Sequence, residues 1–398
     1  MVVLVHDNGA SSAKIGFNTA DSARLIPNCI FKAKSERRKL FIGDQLEECK
    51  DYSGLFYVLP FQKGFLVNWD VEKQIWDYMF GKEVMKVDFP ETTLLLTEPH
   101  FNFTSIKDGT DEILFEEYNF KAICRSSAAQ LSAFKCHKEE VDKHLICLVV
   151  DSGYSFTHIV PVFNGKVLKK GVKRINVGGK LLTNHLKEIL SYRQLHVLDE
   201  TFVINQVKED TCYVSDNFYG DMNIARLKGA KNTIVRDYVL PDYTHIKRGY
   251  VKSATEMWLG SKKENEQIVR MNNERFAVPE LLFHPADIGI QEMGIPEAIT
   301  NAIQQLPVEM QPHCYMNILL TGGCALLPGM KERVFSEVRS LAPCDVDVAV
   351  HCPSKPLTHA WEGGVTLSKT DVFVNKMCVT KAEYDEHGKN ICREKFDS

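Results

Sequence analysis

The sequence predicts an α/β protein built from two related lobes, and three observations carry that prediction. At 398 residues the chain is longer than a single hydrophobic core usually serves. Strand signals alternate with helix signals along its length, the pattern of largely buried sheets covered by helices. Finally, one unit of strand, Asp-x-Gly turn and strand is written twice: LVHDNGASSAKIGFN at residues 4–18 and LVVDSGYSFTHIVPVFNG at 148–165.

Taken in order, VVLV and AKIGF read as the first two strands, followed by a short, loop-rich segment. In NWDVEKQIWDYMFG the apolar Val71, Ile75, Trp76 and Met79 recur at helical spacing, and Asn68 or Asp70 suits the N-cap. TTLLLTEP is a continuous apolar run closed by proline, which fits a strand covered on both faces. TDEILFEEYNF reads as an amphipathic helix, AICRSSAAQLSAF as strand then helix, VGGKLLTNHLKEIL as a glycine-led helix, and NILLTGGCALLPGMKERVFSEV as strand, Gly-Gly turn and helix. Residues 243–272 are rich in charge and weak in pattern, and are expected to form a surface insertion.

Composition bounds the function classes. A hydrophobic content of 44% with 25% charged residues is that of a globular protein, and a net charge of -4 argues against a generally basic nucleic-acid binder. The polar His6, Asp7 and Asn8 follow only five residues, too few for the apolar core of a signal peptide, and no run approaches the ~18 apolar residues of a membrane helix. Twelve cysteines include no C-x-x-C pair, so reduced, mostly buried thiols of an intracellular protein are expected.

Each Asp-x-Gly turn alone fits a tight hairpin as well as a phosphate loop. In the second reading glycine lets backbone N–H groups approach phosphate oxygens while the carboxylate orients a hydrated divalent ion. Two such turns plus the Gly-Gly turn at Gly322 and Gly323 would make a cleft with phosphate donors on both walls.

At this level of detail the chain resembles actin. DNGASSAKIGF, NWDVEKQIWDYMF, LLLTEP, VDSGYSFTHIVPV, VKEDTCYV, NERFAVPELLF, LLTGGCALLPG, AWEGG and KAEYDEHG run in the order and spacing of that family over nearly the whole chain. The resemblance implies an actin-like fold, two related lobes around a nucleotide cleft, divided into four subdomains. Residues 1–28, 60–136 and 359–398 would form the first, and 29–59 a small second one with a shortened loop. Residues 145–177 and 289–358 would form the third, and 178–288 the fourth, with the insertion at about 243–272. It further implies ATP with Mg²⁺, bound by Asp7, Gly9, Lys14, Asp151, Gly153, Gly179, Lys208, Glu209, Gly322 and Gly323, with Asp7 and Asp151 reaching the metal through water.

The departures from the actin pattern shape the functional expectation. Ala10 and Ser11 replace a serine and a glycine in the first loop, and Tyr154 and Ser155 replace an acidic residue and a glycine in the second. Ala128 stands where actin has the glutamine that positions the attacking water, with Gln130 two residues away, and His158 matches the other water-ordering residue. Leu327 and Leu357 replace a tyrosine and a lysine at the nucleotide. ATP hydrolysis is therefore not expected. The run from Pro27 to Phe41 is too short for the loop that actin needs along a filament, and Lys63 replaces its modified histidine, so no homopolymer is expected.

Within the family the chain looks most like a nuclear actin-related branch. That implies a non-catalytic subunit of a chromatin-remodelling complex that exchanges a variant histone into nucleosomes, partnered by a remodelling ATPase and a zinc-finger HIT protein. Heterochromatin proteins, nucleosomal DNA through the complex, and a nuclear location with some cytoplasmic pool are implied with it. The alternative is an ATP-binding or weakly ATP-hydrolysing cytoskeletal protein. The basic runs Lys32, Lys34, Arg37, Arg38, Lys39 and Lys169, Lys170, Lys173, Arg174 suit a solvated face, an import signal or a phosphate contact. Tyr243, Tyr250, Met257 and Trp258, aromatic or apolar among charges, are the partner-binding candidates.

Overall fold

In the computed structural model, residues 1–34, 39–52, 54–139, 146–259 and 266–397 are described. The two Asp-x-Gly units open two sheets of matching design. In the first, Val2–Asn8 pairs antiparallel with Ser12–Phe17 and parallel with Thr92–Glu98, in the order Val379–Thr380, Ala122–Ser127, Thr92–Glu98, Val2–Asn8, Ser12–Phe17, Arg24–Pro27. In the second, Ile146–Ser152 pairs antiparallel with Thr157–Phe163 and parallel with Ile318–Thr321. The registers correspond as well: Lys14 lies opposite Asp7, and His158 opposite Asp151.

Burial explains why the strands read as unbroken apolar runs. One face of the first sheet packs Leu4, Ile15, Leu94 and Ile123 against Ile75, Trp76 and Met79 of the Trp69–Phe80 helix. The other face packs Val3, Val5, Leu95 and Cys124 against Trp361 and Val365 of the His359–Ser368 helix. Thr92 to Thr97 are consequently all buried, as a doubly covered sheet requires. Asn68 caps the Trp69–Phe80 helix, its side-chain oxygen accepting from Val71 N–H at 3.2 Å. The helix Ala128–Glu139 packs against His359–Ser368 so closely that a Cβ on Gly363 would lie 2.1 Å from the Leu131 carbonyl oxygen.

The amphipathic segment at 110–120 is only partly α-helical: Thr104–Glu112 is α-helix, and Ile113–Glu117 widens into a π turn that buries Leu114 and Phe115. A correction applies to 243–272. Tyr250–Val251 and Ile268–Met271 flank Arg236–Val239 in a three-stranded sheet, and Val269 and Met271 are fully buried. Val269 and Met271 reach the core of the second lobe, while most of the described residues of the segment are exposed or half-buried; the charged residues in the turns and on the outward faces hid the strands in the sequence. Residues 260–265 lie outside the described residues, as do Arg37 and Arg38 of the first basic run. Ten of the twelve cysteines are buried.

Candidate functional site: a cavity between the lobes

The two Asp-x-Gly turns face one another across a cavity of about 480 Å³, and all ten of the nucleotide-site residues named from the sequence line it. They arrive from four places: the first hairpin, the second hairpin, the helix pair Gly179–Arg193 and Thr201–Thr211, and the Gly322–Gly323 turn. A structure in which the two hairpins meet is what gives each isolated turn its chemistry.

Glycine is required where the walls come closest. Gly322 has φ +86°, and a Cβ there would sit 2.4 Å from the Ser152 carbonyl oxygen and 2.8 Å from an Asp151 carboxylate oxygen. On the opposite wall a Cβ on Gly9 would be 2.8 Å from the Ser12 carbonyl oxygen and 3.0 Å from Lys14 Nζ. The second turn is held from behind: Gly179 N–H and Lys180 N–H, at the start of their helix, donate to the carbonyls of Gly153 and Tyr154 at 3.0 and 2.8 Å.

The electrostatics are those of an acid pair short of positive charge. Lys14 Nζ lies 3.3 Å from Asp7 Oδ2, and Thr97 Oγ1 donates to Asp7 Oδ1 at 2.8 Å. Asp151 has no such partner; burial first, then the charge of Asp7, push its carboxyl up to about 6, with Lys14 opposing. Among the described residues no group of three or more His, Cys, Asp or Glu side chains could hold a metal ion. Two carboxylates and a glycine cradle fit a divalent cation held through water together with phosphate oxygens. That is the donor set of a cation–polyphosphate site.

Toward the rim, Lys208 is anchored rather than free. Its Nζ donates to the Gly179 carbonyl at 3.2 Å, Thr183 Oγ1 at 2.9 Å and Asn205 Oδ1 at 2.9 Å. Glu209 is exposed and accepts from Asn205 Nδ2 at 2.7 Å. Leu327 and Leu357 make this end of the cavity apolar.

The floor of the cavity is populated by histidine. His158 and His100 meet edge to face at 5.3 Å, and burial holds both imidazoles below their ordinary range, His100 at about 4. Gln130 turns away: its Nε2 donates to the Gly165 carbonyl at 2.7 Å and its Oε1 accepts from Ser126 at 3.2 Å. Ala128 therefore presents only a methyl group to the cavity.

The lobes are joined by two bridges. In one bridge, Gly54 N–H donates to both carboxylate oxygens of Glu200, and the Tyr52 ring meets Phe202 and Tyr243 at 5.3 and 5.4 Å. In the other, the Arg174 guanidinium lies over Phe65 and Phe156 at 4.3 and 4.5 Å, and donates to the Lys63 carbonyl. The second basic run is thus partly spent: Arg174 joins the lobes and Lys169 Nζ donates to the Asp397 carbonyl. Of the partner candidates, Tyr243 packs against Tyr52 and Met257 is half-buried, whereas Tyr250 and Trp258 are exposed.

Sequence reasoning passed over Asn8, Asn28, Glu72 and Thr97, which brace the first turn from behind, and His100 and Ser132 on the floor. Only Thr97 carried a signal, as a polar residue that follows the Leu94–Leu96 run directly.

Comparison with known proteins agrees with this architecture. The actin family profile, described as Actin, matches residues 1–397. Actin-related protein 6 of Drosophila melanogaster is 43% identical over 390 residues, covering 97% of both chains. Actin-like protein ARP6 of Cryptococcus neoformans is 39% identical, over 100% of this chain and 84% of its own length. Actin-related protein 6 of Oryza sativa subsp. indica is 37% identical, over 99% and 98%. With twin hairpins facing one cavity and similarity running through both lobes, the chain belongs to the actin family.

Proposed function

We propose that this chain is a non-catalytic, actin-fold structural subunit of a nuclear chromatin-remodelling complex that exchanges a variant histone into nucleosomes. In this reading it contributes to chromatin and heterochromatin organisation and so to gene regulation. Mg²⁺ and ATP serve as a bound, structural ligand. The carrying observation is the contrast inside the cavity: Asp7, Lys14 and Asp151 line it together with Gly9, Gly153, Gly322 and Gly323, while the floor offers Ala128 in place of a water-positioning amide. Phosphoryl transfer to water needs an oriented nucleophile as well as phosphate contacts.

Asp7 and Asp151 would orient the hydrated cation, Lys14 would neutralise phosphate charge, and the backbone N–H groups around Gly9 and Gly153 would donate to the phosphate oxygens. The bound ion supplies charge neutralisation. The bridges at Gly54–Glu200 and around Arg174 hold the lobes together, which suits a rigid body that displays surface to partners. Those partners are the remodelling ATPase, a zinc-finger HIT protein and, through the complex, heterochromatin proteins and nucleosomal DNA. The similarity to proteins named actin-related protein 6 supports the choice of branch.

The test is to purify a tagged copy from nuclear extract, size the native assembly and identify its companions by mass spectrometry. A large complex containing a remodelling ATPase and a histone-variant chaperone is expected. A free monomer, a filament that pellets, or a cytoskeletal complex alone would overturn the proposal.

A further inference from the structure

Behind the first Asp-x-Gly turn lies a buried acid that the cavity chemistry does not use. Glu72 sits on the Trp69–Phe80 helix with no solvent exposure. Its Oε1 accepts from Asn8 Nδ2 at 2.7 Å. Asn8 Oδ1 in turn accepts from Asn28 Nδ2 at 2.8 Å, and the same amide nitrogen donates to the Gly9 carbonyl at 3.1 Å. Asn28 N–H donates to the Ser11 carbonyl at 2.9 Å, and Asn8 N–H to Thr97 Oγ1 at 2.9 Å. The turn that runs Asn8, Gly9, Ala10, Ser11 is therefore gripped from outside the cavity by three side chains.

Counting donors and acceptors shows that a hydrogen is missing. Both hydrogens of the Asn28 amide are committed, to Asn8 and to Gly9. Glu72 Oε2 and Asn28 Oδ1 are two buried acceptors without a hydrogen-bond partner, and the one unpaired buried donor in reach of the Glu72 carboxyl, Trp76 Nε1, can serve only one of them, which leaves Asn28 Oδ1 beside Glu72 a hydrogen short. Exchanging the Asn28 oxygen and nitrogen does not help, because Asn8 Oδ1 and the Gly9 carbonyl would then lose theirs. A proton on Glu72 supplies the missing donor.

We propose that Glu72 is the positioning residue of the first phosphate loop: it holds the Asn8–Gly9 turn as a protonated carboxyl, and an anion docking on that turn is accompanied by proton uptake at Glu72. This rests on the nucleotide reading of the cavity. Burial raises the Glu72 carboxyl to about 7, against hydrogen bonds from Asn8, Asn28 and Trp76 that favour the ionised form. An incoming phosphate charge on the far side of the turn raises it further. Affinity then weakens as pH climbs through and beyond 7.

The groups that face it are few. His6, on the same face of the Val2–Asn8 strand, is buried and held neutral, at about 4. Tyr118, from the turn after the π segment, is raised by burial and stays protonated, its hydroxyl donating to Asp77 at 2.7 Å. Asp7 and Lys14 pair on the opposite face of the strand. Neither His6 nor Tyr118 titrates near 7, so the part of a transition there that Glu72→Gln removes belongs to Glu72.

The experiment is calorimetric titration of the wild-type chain and Glu72→Gln with Mg²⁺ and ADP, at pH 6, 7 and 8, in buffers of different ionisation enthalpy. Glutamine keeps the acceptor for Asn8 and carries its own hydrogens for Asn28. Wild type is expected to take up part of a proton per nucleotide near pH 7 to 8 and to lose about threefold or more in affinity by pH 8. Glu72→Gln should take up less by that fraction and lose correspondingly less. Glu72→Leu, which removes the acceptor for Asn8, should weaken binding at every pH. Equal proton uptake by wild type and Glu72→Gln would overturn the proposal.

A nucleotide-free readout separates the two claims. With a native carboxyl raised above its unfolded value, the stabilisation is present below about 4.5 and is lost as pH rises through about 7. Urea unfolding should show a steeper loss of stability with rising pH in wild type than in Glu72→Gln, where only the contributions of Asp151 and Asp111, raised to about 6, remain. If nucleotide fails to bind but the slopes differ, the ligand reading falls and the protonated carboxyl stands. If the slopes coincide, the carboxyl is not protonated in the fold and the proposal falls whatever the cavity binds.

Discussion

The backbone N–H of Gly54 donates to both carboxylate oxygens of Glu200, at 3.1 and 3.2 Å, across 146 residues of sequence. Gly54 is placed by a φ of +59°, which other residues rarely adopt. Together with Tyr52 against Phe202 and Tyr243, this contact ties the small 29–59 segment to the second lobe.

Removing the contact should act on kinetics before stability. Glu200→Ala deletes one charge-assisted hydrogen bond worth roughly 1.5 kcal/mol, so release of a fluorescent ATP analogue should accelerate about tenfold. Stopped-flow displacement measures it, and an unchanged off-rate would show that this contact does not limit release.

Asp151 provides a pH dependence with a definite sign. Its carboxyl, raised to about 6, stabilises the ligand-free fold below its unfolded value near 4, and that stabilisation is lost as pH rises through about 6. Asp151→Asn should stabilise the ligand-free protein at pH 8 by on the order of 2 kcal/mol, while weakening nucleotide binding and its dependence on Mg²⁺. Thermal melts with and without Mg²⁺ and ATP check both halves.

Arg125 lies at the centre of a buried ion cluster, bonded to both oxygens of Glu98 at 2.9 Å and to Asp111 at 2.9 and 3.2 Å. Asp111 remains raised to about 6 because burial outweighs Arg125. Arg125→Met strands two acids and should cost about 3–5 kcal/mol, read as a lower urea midpoint. Replacing Asp111 by Asn as well should recover part of that loss.

The floor of the cavity supplies a gain-of-function test. Ala128 leaves room beside His158 and His100, and the neighbouring Gln130 is tied to Gly165. Phosphate release by the wild type is expected to stay at background, and Ala128→Gln to raise it by about tenfold or more. A wild type that already turns over ATP would refute the non-catalytic reading.

What the sequence by itself determined is local and periodic. The strand, Asp-x-Gly, strand units, the doubly buried TTLLLTE strand, the Asn68 cap and the glycine-led helix at Gly179 all rest on neighbours within a few residues, and each was legible. The ten cavity residues were named because their motifs resemble those of actin; Asp7, Lys14 and Asp151 lie in strands and Lys208 and Glu209 in a helix, where local composition alone does not mark them. The missed elements depend on distant partners. Tyr250–Val251 and Ile268–Met271 become strands only by pairing with Arg236–Val239, and their short, charged runs carry no period of their own. Glu72 is spaced like any residue on a helix, so nothing marks it as buried. Its proximity to Asn8, like that of Phe156 to Arg174, is decided by packing within a lobe, and that of Gly54 to Glu200 by how the lobes meet. Backbone conformation is chosen by adjacent residues, whereas burial, the protonation it imposes and contact between lobes belong to the packed chain as a whole, and only the tertiary structure decides those.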